Sequence, residues 1–297
     1  MKDIFKNVLT RPYRSIQKAI IESQDKESVY QLIQRQIVNQ YRIAKINGIK
    51  PYDSVNEAGF RCYSEYEEDG IILYILSMIG FKTKKVVEMC CGNGSECMAA
   101  NLILNHGFDG YLFDGNESNI KHAKKFFSSK KDCKLYTPKI SHSWITAENV
   151  NDLLRDAEAT GEVDLFSLDI DGNDYWVWKA IEIIKPRLCI FETHNIIPSP
   201  LSLTIRYTPD FNCWSKKGHE QDYRSVSLAA MVKLCKAKGY RMVGAHRHGF
   251  NVFFLRQDIE PGLFPEVGIE EVHNNYFTRH AQKNRWPLVE NMDWIEV

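Results

Sequence analysis

A chain of 297 residues is long enough for one large domain, or for a domain with a helical extension. Its 38 basic and 38 acidic side chains cancel, so no overall field draws it to nucleic acid or to an anionic membrane. The eight cysteines include no C-x-x-C pair, which argues against a zinc ribbon. With no apolar core at the N-terminus to read as a signal peptide and no stretch long enough to span a bilayer, a reducing, cytoplasmic setting is expected.

Residues 1 to 48 are helical in pattern and poor in glycine. The first twenty carry Ile4, Phe5, Val8 and Leu9 among five basic side chains. They are expected to pack on their own domain or on a second subunit in a homo-oligomer, a membrane-surface helix being the alternative. From Ser28 the apolar positions Tyr30, Ile33, Ile37, Tyr41 and Ala44 recur at three and four, and Gly48 with Pro51 ends the helix. This extension is drawn to residue 60, with an α/β domain over 61–297. Ser64 to Phe81 reads as a helix whose acids Glu65, Glu67, Glu68 and Asp69 suit the positive end of its dipole.

Val86 to Gly115 organises the rest. A short apolar run ends on Glu88, turns through Gly92 and Gly94, continues as a helix from Glu96 to Asn105, and is followed by the strand Tyr111 to Phe113, which ends on Asp114. Glycines let a ligand approach the backbone, and the helix behind them offers free N–H donors. An acid about twenty residues on, at the tip of the next strand, can take both hydroxyls of a ribose. The third glycine of the dinucleotide pattern is missing, and Cys97 stands in its place. That departure, with Glu88 before the turn, favours an adenosyl ligand without a pyrophosphate, S-adenosylmethionine first, over NAD or FAD. The plainer alternative is a tight loop with no ligand.

Further elements alternate. Ser118 to Lys131 reads as a basic helix, Cys133 to Ile140 as a strand, the segment from Ile145 as a helix capped by Thr146 and stopped at Gly161, and Val163 to Leu168 as a strand before a helix with Trp176 and Trp178. Arg187 to Phe191 is a fifth strand, ending on Glu192, Thr193 and His194. Such alternation implies a mostly parallel sheet with its ligands beyond the carboxyl ends of the strands. Residues 196 to 224 lack periodicity and carry three prolines, as a mobile lid over the substrate would. After a helix from Ser227 to Lys238, YRMVGA and NVFFLR are close enough to form an antiparallel hairpin. The fold class is therefore α/β: a Rossmann-like, mostly parallel seven-stranded sheet with a late antiparallel hairpin, plus N-terminal helices. His246 and His248 read as polar hairpin residues, and the tail from Asp258 shows no clear role.

At this point the chain resembles the FkbM-type S-adenosylmethionine-dependent methyltransferases, from about Ser64 to Arg256. The segments that carry the likeness are Ser64 to Leu73, VVEMCCGNGSE, GYLFDGN, DLFSLDIDGNDYWVW, FETHN and DYRSVSLAAMVKLCKAKGYRMVG with GFNVFFLR. The resemblance implies a cofactor site of Glu88, Gly92, Gly94 and Asp114, with Asn116 beside it. It also implies O-methylation of a hydroxyl on a sugar, glycan or related small polar product. Cys90 and Cys91 depart from the family pattern. With such a cofactor, Ser64 to Phe81 is also a candidate cover for its methionine end.

Methyl transfer from a sulfonium to a hydroxyl needs in-line placement and either a base or a cation that lowers the hydroxyl pKa. Asp169 and His194 are the candidate catalytic groups. Asp169, Glu192 and Asp171 are a candidate set for Mg²⁺ or Mn²⁺, since carboxylates facing one another across neighbouring strands need a proton or a cation between them. Alternatively Glu192 and His194 bond to each other and brace the loop, and Asp174 serves as a turn and helix cap. A non-catalytic adenosyl-binding protein and a nicotinamide oxidoreductase are the rival functions.

Overall fold

A computed structural model describes residues 29–297. The apolar segment around Ile4 to Leu9, with its expected docking role, lies outside them. Residues 29–49 belong to one compact unit and 50–297 to another. In the first, a helix (α1, 29–46) ends at Gly48, which adopts φ 68° and donates its N–H to the Lys45 carbonyl. Its buried seam is Gln34, Val38 and Tyr41, whereas Tyr30 and Ile33 are exposed. The expected stripe thus holds at Tyr41 but is one residue out of phase before it, because the same three-and-four spacing also fits the next row of the helix.

The second unit is built on seven strands: β1 (Lys85–Met89), β2 (Asp109–Asp114), β3 (Lys139–His142), β4 (Gly161–Leu168), β5 (Ile184–Glu192), β7 (Tyr240–Ala245) and β8 (Asn251–Arg256). They lie in the order β3-β2-β1-β4-β5-β8-β7. β1 to β5 are parallel, and β8 runs antiparallel to both β5 and β7. The hairpin therefore enters the sheet by its second strand. The long interior strands are buried almost throughout, as a sheet covered on both faces demands. Trp178 stacks on Phe166 at 5.5 Å under α6 (Asp174–Ala180) and closes one face.

Between β4 and β5 one ion pair is sealed in the interior. Arg187 Nη1 lies 2.6 Å from Asp164 Oδ1, with the two side chains 7% and 0% exposed. Arg187 also donates to the carbonyls of Ile79 and Gly80, and Asp164 accepts the N–H groups of Lys82, Thr83 and Lys84. The pair ties the end of α2 (Glu68–Ile79) to the start of β1.

Several expected boundaries move, each for a local reason. The helix after the glycine turn is α3 (Ala100–His106) and not 96–105, because the N–H groups of Met98 and Ala99 are taken by Glu88 in a longer loop. α4 covers Glu117–Ser129, with Asn116 as its cap. The third strand is Lys139–His142 rather than 133–140, since Cys133 closes a 3-10 turn and Leu135 and Tyr136 stand in solvent. α5 is Val150–Asp156: Thr146 and Asn149 exchange hydrogen bonds ahead of it, and Gly161 opens β4 instead of stopping the helix.

Glu65 is exposed, but the acids Glu67, Glu68 and Asp69 are buried. Asp69 accepts the N–H groups of Cys62, Tyr63 and Ser64, and Glu68 is fully buried against Tyr66 N and Asn251 Nδ2. The stretch 196–224 is not wholly irregular. It contains β6 (Leu203–Ile205), paired antiparallel with β9 (Trp294–Glu296). The tail from Asp258 therefore has a definite job: it clamps the base of that loop, aided by the Arg285–Asp222 ion pair.

Candidate active site

The carboxyl ends of β1, β2, β4 and β5 bring the candidate residues to one edge. Sheet order reverses between β1 and β4, where an open crevice is expected. There lies a small, partly open cleft lined by Cys90, Gly115, Trp144, Ile145, Ile170, Asn173 and Phe211. Its walls are mostly apolar and aromatic. The Trp144 ring lies against Gly115, where a Cβ would come within 2.8 Å of it, and Phe211 lies on Gly172 in the same way at 2.6 Å.

Asp114 precedes the lining residue Gly115 and is itself buried and heavily bonded. Oδ2 accepts the Gly92 N–H at 2.9 Å and lies 3.7 Å from the Cys90 thiol; Oδ1 accepts the Asn116 N–H at 2.7 Å and the Asn119 amide at 3.2 Å. Among the lining residues, the Asn173 amide donates to the Thr208 carbonyl while its buried Oδ1 has no partner. Sequence reasoning missed Asn173, Trp144 and Phe211. Asn173 looks like part of a helix cap, and the two aromatics lie far from the glycine turn along the chain.

Glu88 does not face the cleft. Its two oxygens accept Met98 N and Ala99 N, the Cys97 thiol adds a third contact, and burial raises its pKa. It holds the loop in shape. Gly94, at φ 83°, packs where a Cβ would stand 3.2 Å from the Ala123 backbone, so this glycine serves contact with α4. Gly92, at φ 57°, presents its N–H to Asp114. Asn116 caps α4, its side chain accepting from Ser118 and Asn119.

The acidic group is the second feature. Asp169, Asp171 and Glu192 each offer a carboxylate oxygen, and these atoms all lie within 4.8 Å of one another. Asp169 and Glu192 face each other closely enough that two ionised carboxylates would repel unless a proton or a cation lay between them. Burial, then the like charge of Glu192, holds Asp169 well above the ordinary carboxyl range; burial lifts Glu192 too. Asp171, at φ 52°, accepts the indole N–H of Trp214 at 3.1 Å and pairs with Arg224 at 3.0 Å. One of three carboxylates thus has a cation, delivered by the long loop. Cys90 and Ser225 share the left-handed backbone of Asp171, and such strain collects at working sites.

Glu192 and His194 are not bonded to each other. His194 Nε2 lies 2.7 Å from the Asp222 carbonyl, so that nitrogen carries the proton, and burial with Arg224 behind it pushes the ring down to about 3. A buried ring held neutral in this way is a weak base, and its Nε2 is already engaged by a carbonyl. Asp174 accepts Ile170 N and Gly172 N, closing the turn as expected, but it is the first residue of α6 and not its cap, a position held by Asn173.

His246 is more than a polar hairpin residue. Its side chain is fully buried, Nδ1 accepts the Asn251 N–H, and burial pushes it down to about 4. A histidine depressed in the folded state stabilises above its unfolded pKa near 6.5, and that stability is lost as pH falls towards 4. His246→Gln should therefore shrink the stability difference between pH 7 and pH 5 by about 2 kcal/mol, as read from urea denaturation at the two pH values.

No family model matches the chain, and no curated protein does. Among solved structures the chain is similar to the N-terminal domain of EvdMO1, seen with SAH and D-fucose, at TM-score 0.42 and 12% identity over 75% of this chain and 96% of that one. It is similar to the O-methyltransferase from Bacillus cereus in complex with SAH at 0.41 and 11%, over 73% and 88%. It is also similar to magnesium protoporphyrin IX methyltransferase from Synechocystis PCC 6803 with bound SAM at 0.40 and 13%, over 64% and 77%. Likenesses this distant carry no argument about the chemistry of this chain, which rests on its own residues. Among the described residues no helix is long and apolar enough to cross a membrane.

Proposed function

We propose that the protein is an S-adenosylmethionine-dependent methyltransferase of FkbM type, acting on a hydroxyl of a sugar, glycan or related small polar product. The observation that supports this most is the cleft at the sheet's switch point, lined by the Asp114 neighbours Cys90 and Gly115 and by Asn173 with its orphaned Oδ1. A flat apolar slot ending in a lone buried acceptor suits a purine with an exocyclic amino group, and an acid at the tip of β2 suits the attached ribose. Ribose hydroxyls would replace the two weakest contacts of Asp114, the Cys90 thiol and the Asn119 amide. Glu65 and Tyr66, hydrogen-bonded to each other, stand on the loop whose Tyr63 carbonyl accepts the Cys97 N–H. That loop covers the methionine end in this reading.

Asp114→Ala should weaken binding of S-adenosylhomocysteine by about 1–3 kcal/mol, the cost of unmade charge-assisted hydrogen bonds. Calorimetry reads this directly, and unchanged affinity would remove Asp114 from the site.

The Asp169–Glu192 pair is the base in this reading, close to the acceptor hydroxyl, while Arg224 fixes Asp171 and His194 positions the strand end. Three carboxylates with one guanidinium retain excess negative charge, and their hard oxygens fit a divalent ion such as Mg²⁺ or Mn²⁺. Asp169, Glu192 and one oxygen of Asp171 would hold it. When bound it supplies a lowered pKa at the acceptor hydroxyl. Chelation is expected to abolish transfer of labelled methyl while S-adenosylhomocysteine still binds, with Mg²⁺ or Mn²⁺ restoring it. Full activity in chelator would leave the shared proton as the only compensation.

The loop 196–224 acts as a lid in the same reading. It carries Phe211, Trp214 and Arg224 to the cleft and the acids, so its opening governs exchange of ligands.

A further inference from the structure

Leu135 and Tyr136 take no part in the cleft or the core. Leu135 is 97% exposed and Tyr136 72%, the former the most exposed large apolar side chain among the described residues. The turn that bears them, between α4 and β3, is firmly held. Cys133 is buried beneath it, its N–H bonded to the Lys130 carbonyl and its own carbonyl accepting the Thr137 hydroxyl, and Pro138 is buried at the other end. Residues 134–137 are thus lifted into solvent by both anchors.

The chain leading to this tip is rich in lysine although the whole chain is neutral. Residues 117–134 contain six lysines (121, 124, 125, 130, 131, 134) and two acids (117, 132), a difference of 6 − 2 = 4 positive charges. Lys121 pairs with Glu117 at 2.9 Å, whereas Lys124, Lys125, Lys131 and Lys134 have no acid partner among the described residues. A solvated basic helix face is the ordinary outcome of such a run, yet it gives no reason for a leucine at the tip.

We propose that this turn is a docking site for an anionic lipid surface. Leu135 would enter the outer acyl region, and Tyr136 suits the interface, where its ring is apolar and its hydroxyl wet. The lysines lie against acidic headgroups with their aliphatic stems along the membrane. Nucleic acid would satisfy the lysines but offers a leucine nothing. The turn precedes the amino end of β3, opposite the carboxyl edge that bears the cleft, so docking leaves the cleft open. The proposal is independent of the reaction catalysed.

Sedimentation of the full chain with vesicles tests it. In about 0.1 M salt the protein should pellet with phosphatidylcholine vesicles containing phosphatidylserine and not with phosphatidylcholine alone, and raised salt should release it. Each lysine near the surface contributes about fivefold to partitioning. Lys131→Glu with Lys134→Glu should therefore lower it more than tenfold, and Leu135→Ala with Tyr136→Ala should lower it severalfold, with thermal midpoints near that of the unaltered protein. A lack of pelleting with phosphatidylserine overturns the proposal, as does pelleting that neither double variant diminishes, which would move the contact to residues 1–20. A single-stranded RNA oligonucleotide that binds with the same lysine dependence but ignores Leu135→Ala, while vesicles do not bind, overturns it in favour of nucleic acid.

Discussion

Glu192→Gln is expected to lower methyl transfer by about 10²–10⁴-fold while leaving S-adenosylhomocysteine affinity unchanged. The amide keeps the size of the side chain and can still donate to Asp169, but it can neither receive a proton nor offer a charged oxygen. Glu192 lies outside the cleft assigned to the purine, so its loss should register on turnover alone. The readout is labelled methyl transferred from S-adenosylmethionine to acceptors in a cell extract, with calorimetry on the same variant. A variant that turns over normally would take the Asp169–Glu192 pair out of the chemistry. A variant that loses cofactor affinity instead would place Glu192 in the cofactor site.

Arg187→Met should destabilise the fold by about 3–5 kcal/mol, because it leaves the Asp164 carboxylate buried without its cation. Asp164 would keep three backbone N–H donors, so the folded state should survive with a lower thermal midpoint. Methionine fills part of the space but cannot bond the carbonyls of Ile79 and Gly80, so the turn into β1 loosens as well. Replacing Asp164 by Asn together with Arg187→Met should recover part of the loss, since no lone charge then remains. Denaturant titration of the single and double variants measures both. A single variant as stable as the unaltered protein would show that water reaches the site and that the pair is not sealed.

How much of the site was legible depended on how each residue makes its contacts. Asp114 and the glycines could be found because a turn and the next strand tip are joined by a fixed run of backbone. Asp169, Asp171 and Glu192 could be grouped because parallel strands end on one edge, and the structure does gather their oxygens within 4.8 Å. The contacts of Glu88 were not legible because a strand-tip acid can point outward or back at its own loop, and only the N–H groups of Met98 and Ala99 decide which. The contact of His194 was hidden for a similar reason. Its partner, the Asp222 carbonyl, is a backbone atom that any residue type would provide.

Strand and helix periodicities, set by local sterics and by which side chains avoid water, were enough to determine a mostly parallel α/β sheet with a reversed late strand. They also determined the acids that line its carboxyl edge. Tertiary structure alone decided what reaches those acids from elsewhere: Trp214 and Arg224 on Asp171, Phe211 on Gly172, and Asn173 left with a free acceptor in the cleft. It likewise decided that the terminal Trp294–Glu296 pairs with Leu203–Ile205 and anchors the loop that carries those residues. Contacts between segments distant along the chain depend on the folded path that brings them together, and no local periodicity encodes that path.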